Sequence, residues 1–356
     1  MTSKAEPQDQ HVAGRDFYRA LVIRKQLILV ALAAALILSL CTDLALGPAR
    51  YSLGEVVDAL LRPGAVDERI RVILWEIRMP VALMAMTVGA SLSIAGMQMQ
   101  TILNNPLASP FTLGISAGAG FGAALALAFG VAIVPFAIEY VIPVNAFLMA
   151  MLTSLAIYGL SLRRGVSSET IVLLGIALVF IFNALMSLIQ FFASQQAVAA
   201  VVFWTMGSLT KATWPKLWIS LAVLVLSLPL LARRGWALTA MRLGDAKAES
   251  MGVKLRRLRL EVLVIVSLLA AISVSFVGTI GFVGLVGPHI ARMLLGEDQR
   301  FLLPGAAMCG ALILSVGSVF SKMIIPGTII PIGIITSIVG IPFFLYLILS
   351  RRGASW

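Results

Sequence analysis

The sequence holds only two histidines and two cysteines. His11 lies in a polar tail and His289 in an apolar run, so no set of imidazoles is spaced to hold a metal ion. Cys41 and Cys309 both fall inside apolar runs, which indicates neither a disulfide framework nor a thiolate metal site. No G-x-x-x-x-G-K-S/T phosphate loop occurs. GAGFGA at 118–123 has the glycines of a nucleotide loop, but it neither follows a strand nor opens a βαβ unit. Gly114, Gly118 and Gly122 repeat instead at four-residue spacing, which lets helices approach closely in lipid. The chain's most unusual stretch is LNNPLASPFTLGISAGAGFGAAL at 103–125, with two prolines, four glycines and no charge in otherwise apolar surroundings.

Composition says where such a stretch sits. The chain is 60% hydrophobic and 12% charged, with mean hydropathy +1.00; a soluble domain carries about 25% charged residues. Apolar runs of the length that crosses a bilayer recur along the whole sequence. The expected fold class is therefore an all-α polytopic membrane protein. Ten spans are read: 27–46, 80–100, 113–133, 142–161, 170–192, 217–232, 259–280, 282–295, 303–323 and 329–350, the sixth and eighth being short. Residues 1–26 form a polar tail, and 27–356 the transmembrane domain. No A-x-A cleavage pattern follows the first apolar run, so it is read as a retained helix rather than a signal peptide.

Charge orients the spans. With the N-terminus inside, cytosolic segments hold eighteen Lys/Arg against eight on the outer side, the asymmetry of an N-in, C-in chain. The outer loop 47–79 is nearly neutral, and the region 233–258 is strongly basic and cytosolic. Membrane orientation thus accounts for the net charge of +11, and nucleic-acid binding need not be invoked.

No Asp or Glu lies deep in a span, since Asp43, Glu76, Glu139 and Glu169 fall at ends or in loops. Ion-coupled carriers bury such groups along their path, and channels need charged rings or carbonyl filters. A secondary carrier is accordingly the weaker reading, and a non-transporting membrane scaffold stays as a further function class. His289 is expected to hydrogen-bond a neighbouring helix, and Arg292 to snorkel towards the cytosol. Trp204, Trp214 and Trp218 read as an interfacial aromatic belt near the outer surface. In the basic loop, LGDAKAESMGV places Gly244, Ala248 and Gly252 at i, i+4 and i+8. On a helix that would make one smooth stripe, suited to a groove on a soluble partner or to a plain linker.

Several stretches together resemble the permease subunits of the iron-siderophore, haem and cobalamin class of ABC importers. They are IRMP at 77–80, VGASLSIAGMQMQTILNNPLASPFTLGISAGAG at 88–120, LGDAKAESMGV at 243–253, GTIGFVGLVGPHIARMLLGEDQRFLLPGAAMCGALIL at 278–314 and PIGIITSIVGIPFFLYLI at 331–348. The resemblance implies the type II ABC importer permease architecture. Two permease chains, identical or paralogous, would pair in a bacterial or archaeal cytoplasmic membrane. Two cytosolic ATPase subunits, which hold ATP and magnesium, would dock below, and an extracytoplasmic binding protein would deliver the chelate. This chain would hold no cofactor and catalyse nothing itself.

Residue by residue, the resemblance assigns Gly244, Asp245, Ala248 and Gly252 to the ATPase interface, and Asn104, Asn105 and Leu107 with Ser167 and Ser168 to a cytosolic gate. An uncharged amide there would meet a polar chelate without the desolvation cost of a charge. Arg78 and Lys322 would dock acidic side chains of the binding protein. Three positions depart from the family: Val81 replaces an arginine, Ser318 an Asp and Ile329 a Glu, and the last two remove acids near the docking site. Ferric siderophore is the first expectation for cargo, with haem and cobalamin as alternatives.

Overall fold

Hydrocarbon cannot hydrogen-bond the main chain, so a spanning segment must close its backbone bonds within itself as a helix. The computed structural model describes residues 7–47, 51–62, 64, 66–134, 138–161, 168–325 and 327–350, and every regular element among them is helical. In chain order these are α1 (Pro7–Ala45), α2 (Leu53–Leu61), α3 (Glu68–Val72), a π-helical turn (Ile73–Arg78), α4 (Met79–Ile102), α5 (Ile115–Phe129), α6 (Ile138–Ser161), α7 (Ser168–Phe192), α8 (Gln195–Thr205), α9 (Trp214–Arg233), α10 (Gly235–Met241), α11 (Asp245–Ser250), α12 (Leu255–Val277), α13 (Val283–Leu295), α14 (Gln299–Met323) and α15 (Ile332–Ser350).

Seven helices are long and apolar enough to cross a membrane, and α5, α13 and α15 are shorter apolar helices. Each of the ten expected spans coincides with one of these. Three features were not expected. The first span is the end of a longer helix that begins at Pro7, in the polar tail. The loop 47–79 contains α2 and α3, and α2 is started by a capping box in which Ser52 and Glu55 bond reciprocally. Helix α8 follows α7 and carries Trp204.

Helix α4 is the centre of the bundle. All of it except Val81, Leu83 and Met86 is buried, and it packs on α12, α13 and α14. Contact is close because glycine faces backbone. A methyl group at Gly96 would lie 1.8 Å from the Gly284 carbonyl oxygen, and one at Gly89 would lie 2.3 Å from that of Gly310. Gly118 and Gly122 fit α5 to α6 in the same manner, a methyl at Gly122 meeting the Asn145 carbonyl at 2.4 Å. Gly114 is not part of that row. It precedes the helix at φ 79° and faces α7.

Helix α13, with 13 residues, is about 20 Å long at 1.5 Å per residue, short of the roughly 30 Å of hydrocarbon. It begins part-way along α4, where 278–282 break the path from α12, and α5 likewise starts after the break at 103–114. Ser109, Pro110 and Phe111 from one break line one small cavity with Ile280 and Phe282 from the other and with Leu92. Irregular backbone at such depth is tolerated because protein encloses it: Ala108, Ser109 and Pro110 are buried, and Ser109 and Thr112 bond each other's backbone. Replacing Gly96 by Leu is expected to abolish a monodisperse, thermally cooperative permease. Gly159→Leu, in open space on α6, should leave the melting temperature within about 2 °C.

Candidate functional site

Helix α4 ends in the turn that the family resemblance assigns to a gate. Asn104 takes the left-handed conformation at φ 44°, which Asn tolerates better than most residues. The amides of Leu103, Asn104 and Asn105 donate to the carbonyls of Met99, Thr101 and Gln100 at 3.0, 3.3 and 3.1 Å. The Asn105 side-chain oxygen accepts from the Leu107 amide at 2.9 Å, so this amide shapes the turn itself. Asn104 and Leu107 are exposed at the end of the bundle, and Asn105 is half-buried. Ser167 lies outside the described residues, as does the Ser168 side chain, although Ser168 opens α7.

The basic region stands at the same end, and here the expected stripe is corrected. Helix α11 has only six residues. Gly244 precedes it at φ 96° and Gly252 follows it at φ 85°, so neither belongs to a helical face. Ala248 is fully buried and packs into the main core of this chain rather than facing outwards. Leu243 and Met251, at the two ends of α11, are large exposed apolar side chains. Asp245 is exposed and pairs with Arg259 of α12: Nη2 donates to both carboxylate oxygens at 3.0 and 2.8 Å. Nε of the same guanidinium donates to the Ile102 carbonyl at 2.8 Å, immediately before the gate turn.

A second polar chain runs beside it. Arg242 Nη2 donates to Glu297 at 2.8 Å, the other Glu297 oxygen lies 3.4 Å from Arg292 Nε, and Arg292 Nη1 donates to the Gln100 side-chain oxygen. Arg292 is 13% exposed, so it links α13 to α4 instead of snorkelling. Next to it, the hydrogen bond from Arg300 holds the Asp298 carboxyl below the usual carboxylate range. His289 meets the Phe343 ring edge-on at 5.9 Å, and no cluster of metal-ligating side chains occurs among the described residues.

At the opposite end, Arg78 and Lys322 do not face outwards as the docking expectation required. Arg78 is 7% exposed; its Nη1 donates to the Leu44 and Ala45 carbonyls at 2.6 and 3.2 Å, and its guanidinium lies 4.9 Å from the centre of the Tyr51 ring. Lys322 pairs with Asp43 of α1 at 2.8 Å, the two side chains being 7% and 0% exposed. Ser318 donates to the same carboxylate, 3.1 Å from both oxygens. The acid missing at position 318 is thus supplied from α1, and the serine there completes the carboxylate's shell. Sequence reasoning missed Asp43 because it counted the residue as a span end. The signal was Lys322, a cation in an apolar run that needed a partner.

The tryptophans lie at this end too: Trp214 Nε1 donates to the Trp75 carbonyl at 3.1 Å and its ring stacks on Trp218. Breaking a buried pair leaves an uncompensated charge, so Asp43→Ala is expected to cost about 3–5 kcal/mol in unfolding measurements on the purified protein. Moving the acid back, as Asp43→Ser with Ser318→Asp, should recover more than half of that loss.

Residues 35–350 match the model of the FecCD transport family. A Helicobacter pylori protein named as the permease of an iron chelatin transport system is 41% identical over 285 residues, covering 80% of this chain and 84% of that one. The hemin transport permease HmuU of Yersinia pestis is 33% identical, covering 89% and 95%. A metal-chelate type ABC transporter, solved in an inward-facing conformation, superposes with a TM-score of 0.79 at 30% identity, covering 91% of this chain and 99% of that one. With glycine-packed spans, broken helices and a short helix beside a gate-like turn, the chain belongs to the FecCD family of ABC importer permeases.

Proposed function

We propose that this chain forms the translocation path of an importer that carries a ferric chelate, a siderophore complex foremost, inward across the cytoplasmic membrane. It pairs with a second permease chain, receives cargo from an extracytoplasmic binding protein and is driven by two separate ATPase subunits that hold ATP and magnesium. Relatives named for iron chelatin and Fe(3+)-citrate support a ferric chelate, beside others named for hemin and vitamin B12. Both termini face the cytosol. This follows from the basic residues around α11, among them Arg233, Arg234, Lys247, Lys254, Arg256 and Arg257, by the positive-inside rule.

One observation carries the reading: α11, with exposed Leu243 and Met251 at its ends, stands at the same end of the bundle as the Asn104–Leu107 turn. A partner seated on α11 is thereby placed beside the gate. The ATPase contact passes from the buried Ala248 to Leu243, Lys247 and Met251, while Gly244 and Gly252 supply the positive φ angles that let the chain enter and leave so short a helix. ATP binding would favour one of two gate states, and cargo would pass as their populations exchange.

In proteoliposomes holding permease, ATPases and binding protein, ATP-dependent uptake is expected for a ferric siderophore and not for haem or cobalamin; haem uptake alone would reassign the cargo. Met251→Glu should weaken copurification of the ATPase. Asn105→Asp keeps the acceptor for the Leu107 amide but adds a charge, and should slow uptake roughly tenfold, about 1.4 kcal/mol; undiminished uptake would remove Asn105 from the path.

A further inference from the structure

A helix leaves its last four carbonyls without intrahelical partners, and each needs one when buried. In α4 the carbonyls of Met99, Gln100 and Thr101 accept from the amides of the turn itself. The fourth, Ile102, accepts from Arg259, 157 positions away in sequence. The gate turn is therefore held to the body of the protein at its first residues by a guanidinium, whose other arm grips the α11 carboxylate. A planar fork of five donors can make both attachments at once, whereas an ammonium acts as a point charge. The pair with Asp245 is partly exposed, with side chains 25% and 51% accessible, so it adds little stability by itself. Its consequence is geometric. Displacing α11 moves Asp245, and Arg259 cannot follow without leaving the Ile102 carbonyl. The chain from Arg242 through Glu297 and Arg292 to Gln100 ends in the same turn of α4, so two struts from the α11 region converge on residues 100–102.

We propose that Arg259 is a positioning residue that transmits displacement of α11 to the gate turn Leu103–Leu107, seconded by the Arg242–Glu297–Arg292–Gln100 strut. The proposal rests on the importer reading and adds the residue through which the ATPase would act on the gate. A residue that merely capped α4 would not need Asp245, and this separates the two roles. Asp245→Ala cuts the link to α11 and leaves the Arg259 bond to Ile102 in place. Arg259→Gln keeps one donor and loses the fork.

The test uses the complete complex in lipid nanodiscs and proteoliposomes, reading ferric siderophore uptake per ATP hydrolysed and nucleotide-dependent hydrogen exchange of the 103–108 amides. The wild-type amides are expected to change protection when ATP binds. In Asp245→Ala and in Arg259→Gln that change should disappear, and uptake per ATP should fall at least about tenfold. Arg257→Ala, which removes an exposed cation of α12 and leaves the tether intact, should keep the exchange response. Asp245→Ala with wild-type exchange and coupling would overturn the proposal, whatever Arg259→Gln does. A wild-type complex with no ATP-dependent uptake would overturn the importer reading instead.

Discussion

Helix α4 is enclosed by neighbours along almost its entire length, and in a membrane that imposes a strict condition on its surface. Lipid provides no hydrophobic drive to squeeze helices together, so their association depends on close van der Waals contact. Gly89 and Gly96 meet this condition by setting backbone against the backbone of α14 and α13. Side chains at those positions would push the neighbours apart and open the centre of the bundle. The buried polar residues of α4 obey the same economy: Ser93 donates to the Ala306 carbonyl at 2.6 Å, and Gln98 to Gln299 at 3.2 Å. Each such bond ties α4 to α14 without adding bulk. With α4 fixed in this way, the elements at its two ends are fixed as well.

At one end this rigid pillar meets charge, and burial dictates the outcome. A cation held in low dielectric must find a carboxylate or several carbonyls. Lys322 finds Asp43, and Arg78 finds the last carbonyls of α1 and the Tyr51 ring. These contacts clamp the end of α1 to α14 and to the start of α4. The cost of burying the ions is offset by completing their shells, in which Ser318 has a definite place.

At the other end the pillar meets a turn that must be mobile if cargo is to pass, and its construction differs accordingly. The bonds are mostly local, from amides to carbonyls within a few residues, and the side chains of Asn104 and Leu107 stand free of the core. The charged contacts there are partly exposed, unlike the Lys322–Asp43 pair. One end of α4 is thus locked by buried ions, and the other is held by bonds that can exchange with water.

Much of this was legible in the sequence, for physical reasons. Spans follow from the length and apolarity that hydrocarbon demands, so all ten could be placed, and the glycine spacing of α5 announced its close contact with α6. The turn after α4 was marked by Asn104, Asn105 and Pro106, residue types whose backbone preferences act locally. What the sequence could not disclose was partnership between distant positions. Helical spacing suggested a bare stripe through Gly244, Ala248 and Gly252, but only packing decides which side of a six-residue helix is covered, and it turned Ala248 inward. Arg78 and Lys322 looked like outward-facing cations until the fold brought α1 against them. Arg259 carried no signal in its neighbourhood, because its two partners, Ile102 and Asp245, are joined to it only by the way α4, α11 and α12 converge.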